Sequence, residues 1–254
     1  MSAQVRAGSG ARTYLYALIR PTEAPVDAAG IDGAAVRVVA TDGIAAVVST
    51  VSAEMFDPAT LEERMRDLTW VEAVARAHDA VVTAAARVST TIPLRLGTTS
   101  DDDADVRDLL VDLAPAARRS LERLERRVEY GVQLFATAAR TATPAGPPEA
   151  GAAFLRRRRA ELQQDEARRT AEGEQAETAF GTLSALAAAS RHNRLRETPA
   201  GRTGAMLLNA AFLVDEDRVP TFRAAVDELA ASFGPDRVVI TGPWAPYSFA
   251  DLEL

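Results

Sequence analysis

Two histidines, His78 and His192, are the only imidazoles in this chain of 254 residues, and they lie far apart in sequence. There is no cysteine, which excludes disulfides, thiol nucleophiles and thiolate metal sites. All 29 basic residues are arginine. Without lysine neither a Walker-A phosphate loop nor a Schiff base can form. No GxSxG, HExxH or GxGxxG motif is present, and Gly8-Ser9-Gly10 is too short to cradle a phosphate. Asp101, Asp102, Asp103 and Asp105 lack the spacing and turn glycine of a calcium loop, and read as charge compensation at a helix N-terminus. His78 falls on the apolar face of a helix and reads as a core or interface imidazole. His192, in SRHNRLRE, reads as a surface residue. No catalytic, cofactor-binding or metal-binding set emerges. An enzyme built on His78, Arg95 and carboxylates would need those groups to converge in one pocket.

The residue types that remain suit binding rather than bond-making. GPWAPYSF (242–249) places Trp244, Tyr247 and Phe249 between stiffening prolines, a plausible hot spot where the rings are exposed. Arg95, between Leu94 and Leu96, reads as a partly buried guanidinium in need of partners. An ion pair linking two domains is the first reading, and recognition of a partner's acidic group the alternative. Arg156, Arg157, Arg158 and Arg159 point all around a helix, so they read as a solvated turn or as a patch for an acidic protein. A net charge of −7 argues against general nucleic-acid affinity.

Elements positioning these residues follow from periodicity. Residues 1–12 read as a disordered lead-in without the apolar core of a secretion signal, and no apolar run approaches the ~20 residues that span a bilayer, so a cytoplasmic protein is expected. TYLYALI (13–19) is a strand, and 36–51 a hairpin turning at Thr41-Asp42-Gly43. A helix opens at Asp57-Pro58 and runs towards Ala85, with Leu61, Met65, Leu68, Val71, Val74, His78 and Val82 on its apolar face and a break near Thr69 left open. TTIPLRLGTT (90–99) is a strand ending at Gly97. Ser100 caps the next helix, which Pro115 kinks or divides. Beyond residue 128 the order is strand 129–136, loop 141–151, helix 152–189, strand 192–197, Gly-rich turn 200–204, strand 205–214, helix to Phe233 and strand 237–242. That is the βαββαβ order of a ferredoxin-like fold. The fold class is therefore α+β in two domains: an N-terminal α+β domain (13–128), and a C-terminal ferredoxin-like domain (129–254) with a long helical arm and an aromatic tail. The arm is polar on every face in its middle, QQDEARRTAEGEQAET. It must project, fold back near Gly173 or meet a partner, and an arm that projects or pairs is favoured.

Five segments, in order, resemble the gas vesicle protein family GvpF/GvpL: YLYALI (14–19), GIAAVVSTV (43–51), AHDAVV (77–82), TTIPLRLGT (90–98), and AMLLNAAFLVDEDRVPTF followed by GPWAPYSF. Leu96 departs from an expected aromatic and Ala245 from an expected third proline, which touches local packing only. The resemblance implies a two-domain α+β protein with no enzymatic activity. It would assist assembly of the gas-filled shell by contacting the major shell protein and other accessory proteins, in the cytoplasm or as a minor vesicle component. A small-molecule-sensing module on the ferredoxin-like sheet is the alternative function.

Overall fold

The structure, a computed structural model, describes residues 10–41, 43–137, 151–199 and 204–250. The turn position Asp42, most of the lead-in, nearly all of the 141–151 loop and most of the Gly-rich turn at 200–204 lie outside them. The architecture is mixed α/β with two antiparallel sheets. The chain divides into two compact units. One runs to Val128 and takes in the chain again from Trp244; the other is Glu129–Pro243. The tail, expected at the end of the second domain, thus belongs to the first unit.

In that unit β1 (Ala11–Ile19), β2 (Val36–Thr41) and β3 (Ile44–Ser52) precede α1 (Pro58–Arg64) and α2 (Leu68–Val88); β4 (Thr91–Pro93), β5 (Thr99–Ser100) and α3 (Asp103–Leu124) follow. The sheet order is β2-β3-β1-β4, with β5 also on β1, so β1 is central. Its run from Tyr14 to Ile19 is fully buried. A bulge at Tyr16 shifts the register against β3 between Leu15 and Ala17. The extra residue changes the parity of the strand. Tyr14, Tyr16, Ala17 and Ile19 therefore share one core with Val74, Val81, Val82 and Ala85 of α2.

The helical break is real. Asp67 accepts from the amides of Thr69 and Trp70 and caps α2. Met65 and Leu68, expected on the apolar face, are exposed at this junction. Asp102, not Ser100, caps α3 through the amides of Ala104 and Asp105. α3 continues through Pro115, which is exposed, so the hydrogen bond it forgoes lies where water can replace it.

The second unit comprises β6 (Arg127–Phe135), α4 (Gly151–Ser184), β7 (Ala189–His192), β8 (Met206–Asp215), α5 (Val219–Phe233) and β9 (Val238–Trp244), ordered β7-β8-β6-β9 in the sheet. β9 includes Pro243, and as an edge strand it can tolerate a proline's missing N–H. α4 is unbroken but stops at Ser184, five residues before the expected end. The alanine-rich run after it carries no stop signal; tertiary pairing of Ala189 with Leu213 ends the helix instead. The expected strand at 192–197 is displaced to 189–192 for the same reason.

α4 is buried only in its C-terminal half, at Glu172, Ala176, Ala179 and Leu183. Glu172 is an acid in a core. Its Oε1 accepts from the Thr137 amide at 2.9 Å and lies 3.9 Å from Arg237 Nη2. Arg237 in turn donates through Nε to the Phe135 carbonyl at 2.7 Å. Glu172→Leu strands an amide and a buried cation, and is expected to cost the second unit about 3 kcal/mol. Glu172→Gln, which keeps an acceptor for Thr137, should cost markedly less; urea unfolding of the three proteins checks the order.

Candidate functional site

The convergence in the first unit begins with two tyrosines of β1. Both rings are fully buried, so both hydroxyls need partners inside the core. Tyr16 accepts from the Ile31 amide at 2.9 Å and shares a 2.7 Å hydrogen bond with Ser49 Oγ. It thereby ties the long β1–β2 connection to the sheet. Tyr14 accepts from the Gly97 amide at 3.0 Å and therefore directs its own proton to His78 Nδ1, 3.0 Å away. Gly97 stands at φ +88°, a conformation that an L side chain rarely adopts, and this turns its N–H onto the ring. Burial pushes both tyrosine hydroxyls up, so both stay protonated.

His78 is 3% exposed and is boxed by aromatic rings, Tyr14 at 5.8 Å and Tyr16 at 5.6 Å between centroids. The Tyr14 proton fixes it as the neutral tautomer carrying hydrogen on Nε2. That nitrogen is buried. Burial lowers the His78 pKa to about 4; the Leu94 backbone and the Asp79 carboxylate oppose the shift without reversing it. A neutral, enclosed imidazole without access to a substrate is a core group.

The tail closes over this cluster. Ala245 packs against the core, and Phe249 is 7% exposed with its carbonyl taking a 3.1 Å hydrogen bond from Arg123 Nη2. Tyr247 lies over His78 at 6.4 Å between rings, and its hydroxyl makes a long 3.5 Å contact to Asp79 Oδ1. Trp244 and Tyr247 remain 46% and 40% exposed. Of the three tail rings, Phe249 seats the segment and the other two present surface.

Arg95 is exposed, in the turn between β4 and β5, with no ion pair among the described residues. The expectation of a partly buried, paired guanidinium is corrected: the strand ends at Pro93, short of the expected end at Gly97, and the turn lifts Arg95 out. Arg156 and Arg157 belong to the other unit, on the exposed half of α4, where Arg157 meets Glu161 at 3.7 Å. His192 is exposed and stacks on Phe180 at 3.8 Å.

The aspartate cluster is also accounted for. Asp102 is the helix cap, Asp101 pairs with Arg12, and Asp103 binds Arg37 through two nitrogens at 2.6 and 3.0 Å. Hydrogen bonding from Arg37 holds the Asp103 carboxyl below the usual carboxylate range. Among the described residues no cluster suited to a metal is found, and no helix is long and apolar enough to cross a membrane.

Sequence reasoning found His78 and the tail but missed Tyr14, Tyr16 and Ser49. Their signal was available: two tyrosines two residues apart on an otherwise apolar strand put two hydroxyls on one buried face.

The model of a family described as gas vesicle synthesis protein GvpL/GvpF matches residues 12–251. Gas vesicle protein L of Streptomyces sp. (strain CB03234) is 39% identical, over 94% of this chain and 92% of that protein. Gas vesicle protein F of the same strain is 28% identical, over 94% and 99%. The crystal structure of the gas vesicle protein GvpF from Anabaena sp. PCC7120 is similar in fold, with a TM-score of 0.68 at 21% identity, covering 96% of this chain and 98% of that one.

The buried histidine gives the first unit an acid sensitivity of known sign. The unfolded chain takes up the His78 proton near pH 6.5 and the folded one only near 4, so its contribution to stability is present above 6.5 and is lost as pH falls through that window. The expected loss is about 3 kcal/mol between pH 7 and pH 4. Denaturant unfolding at a series of pH values, compared with His78→Gln, checks it; the variant should show a shallower decline.

Proposed function

The chain belongs to the gas vesicle synthesis protein GvpL/GvpF family, and from that premise we propose that it is a non-enzymatic accessory protein of shell assembly. It binds the major shell protein, and other accessory proteins, and keeps shell subunits from wrong association before they are incorporated. The family match over nearly the whole chain carries this reading. Higher identity to protein L than to protein F of one strain supports an L-like member. The βαββαβ order and β7-β8-β6-β9 pairing support a ferredoxin-like second unit.

Exposed Trp244 and Tyr247, held by a buried Phe249, support the tail as the docking element. The tail's seat also gives the segment a fixed shape, which lowers the ordering cost of binding. Exposed Arg95 is a second candidate contact, for an acidic group on the partner. Function is assigned to the cytoplasm and to the vesicle surface on the same family basis.

Co-expression with the major shell protein tests the reading. The intact chain is expected to hold the shell protein in the soluble fraction and to co-purify with it. Trp244→Ala with Tyr247→Ala should reduce retention by about tenfold or more, as loss of a hot spot does, without lowering the melting temperature. Retention by neither protein would overturn the shell-binding reading. Undiminished retention by the double variant would move the contact off the tail.

A further inference from the structure

The exposed half of α4 carries a stripe of alternating function. Leu155, Arg158, Arg159, Leu162, Asp165 and Glu166 recur at three- and four-residue spacings, so they share one side of the helix. All six are exposed, the two leucines at 67% and 54%. On this side of the helix Arg158 and Arg159 precede Leu162 and Asp165 and Glu166 follow it, with Arg169 beyond them.

The two flanking pairs are symmetric about Leu162. Arg158 stands four residues before it and Glu166 four after; Arg159 stands three before it and Asp165 three after. We propose that two copies of this chain associate through antiparallel α4 arms crossing at Leu162. Arg158 then faces the partner's Glu166 and Arg159 faces the partner's Asp165, each twice by the two-fold symmetry. Leu162 meets the partner's Leu162 at the centre.

Charge complementarity selects this occupant over others. A parallel pair would set arginine against arginine, which repels. An acidic partner would satisfy the arginines but leave Asp165 and Glu166 facing like charge. Within the chain, Arg157 and Arg158 both reach Glu161, at 3.7 and 3.3 Å, and Arg168 reaches Asp165 at 3.1 Å. Arg159 and Glu166 have no side-chain ion pair among the described residues, and the antiparallel crossing supplies one for each.

Two leucines per copy bury little area, so the association is weak and ionic, with a dissociation constant on the order of 10 µM at low salt. Raising salt to about 0.5 M should weaken it by roughly tenfold, since these charges are exposed. Sedimentation equilibrium of the full chain measures this. Arg158→Glu with Arg159→Glu, and separately Asp165→Arg with Glu166→Arg, should each be monomeric where the parent is dimeric. Mixed in equal amounts, the two variants should form a heterodimer near the parent's affinity, and a misfolded variant could not do that. Leu162→Gln should weaken the parent dimer without changing helix content by circular dichroism. A parent that stays monomeric at about 100 µM, well above that constant, overturns the proposal. So does a charge variant that self-associates like the parent, or a mixture that stays monomeric.

Discussion

The first unit depends on matching the polar atoms that β1 carries into its core. Tyr14 and Tyr16 bring two hydroxyls to a face built with Val74, Val81 and Val82. An unmatched buried hydroxyl costs about 1–3 kcal/mol, so each is met by a specific partner. Those partners come from distant segments: Ile31 from a connection, Ser49 from β3, Gly97 from a turn, His78 from α2. Hydrophobic burial alone would fix that these elements meet. The hydrogen bonds fix which residues meet, because a shift of one residue along β1 would leave both hydroxyls unmatched. The bulge at Tyr16 belongs to the same arrangement, since it turns Ala17 and Ile19 onto the face that Tyr14 and Tyr16 share.

The second unit handles a different difficulty, a helix too polar to bury. α4 has alanines and one leucine on its packed side, and small residues let the helix approach the sheet closely. Glu172 on that side is held by the Thr137 amide and approached by Arg237, so its charge is not stranded. N-terminal to it the described residues of the same helix are exposed or half-exposed, and its ends differ accordingly: Leu183 is fully buried while Phe154, Leu155 and Leu162 are exposed. Exposed apolar residues at one end of a continuous helix are unusual for a segment without a partner.

Much of the fold was legible because strong local signals agreed with the tertiary structure. The apolar runs of β2 and β3, the Gly234 stop of α5 and the βαββαβ rhythm each rest on residues that act locally. Misreadings cluster where tertiary contacts decide. Ser184 ends α4 through strand pairing at Ala189, which no residue in the alanine run announces. Arg95 was read as partly buried from its place between two leucines, but the strand ends at Pro93 and Arg95 is exposed in the turn beyond it. Glu172 looked like part of a solvated helix because a charge signals exposure until its partners, Thr137 and Arg237, are placed beside it. At the site, His78 was legible by helical spacing. Its dependence on Tyr14 was not, because a contact across 64 residues has no period.

The tail shows how one short segment can be both anchored and available. Pro243 and Pro246 remove two backbone donors, which leaves side chains and carbonyls to fix its path. Phe249 supplies the apolar anchor, and its carbonyl receives Arg123. Ala245 packs, partly buried, against the core. Between these two fixed points the chain makes a tight turn, with the Tyr247 amide on the Ala245 carbonyl at 2.8 Å and the Phe249 amide on the Pro246 carbonyl at 3.1 Å. Beyond this turn the Tyr247 ring lies over His78. The ring approaches the imidazole at 6.4 Å and stays 40% exposed. The ring thus lies over an imidazole that Tyr14 holds in place, and Tyr14 is itself held by the Gly97 amide.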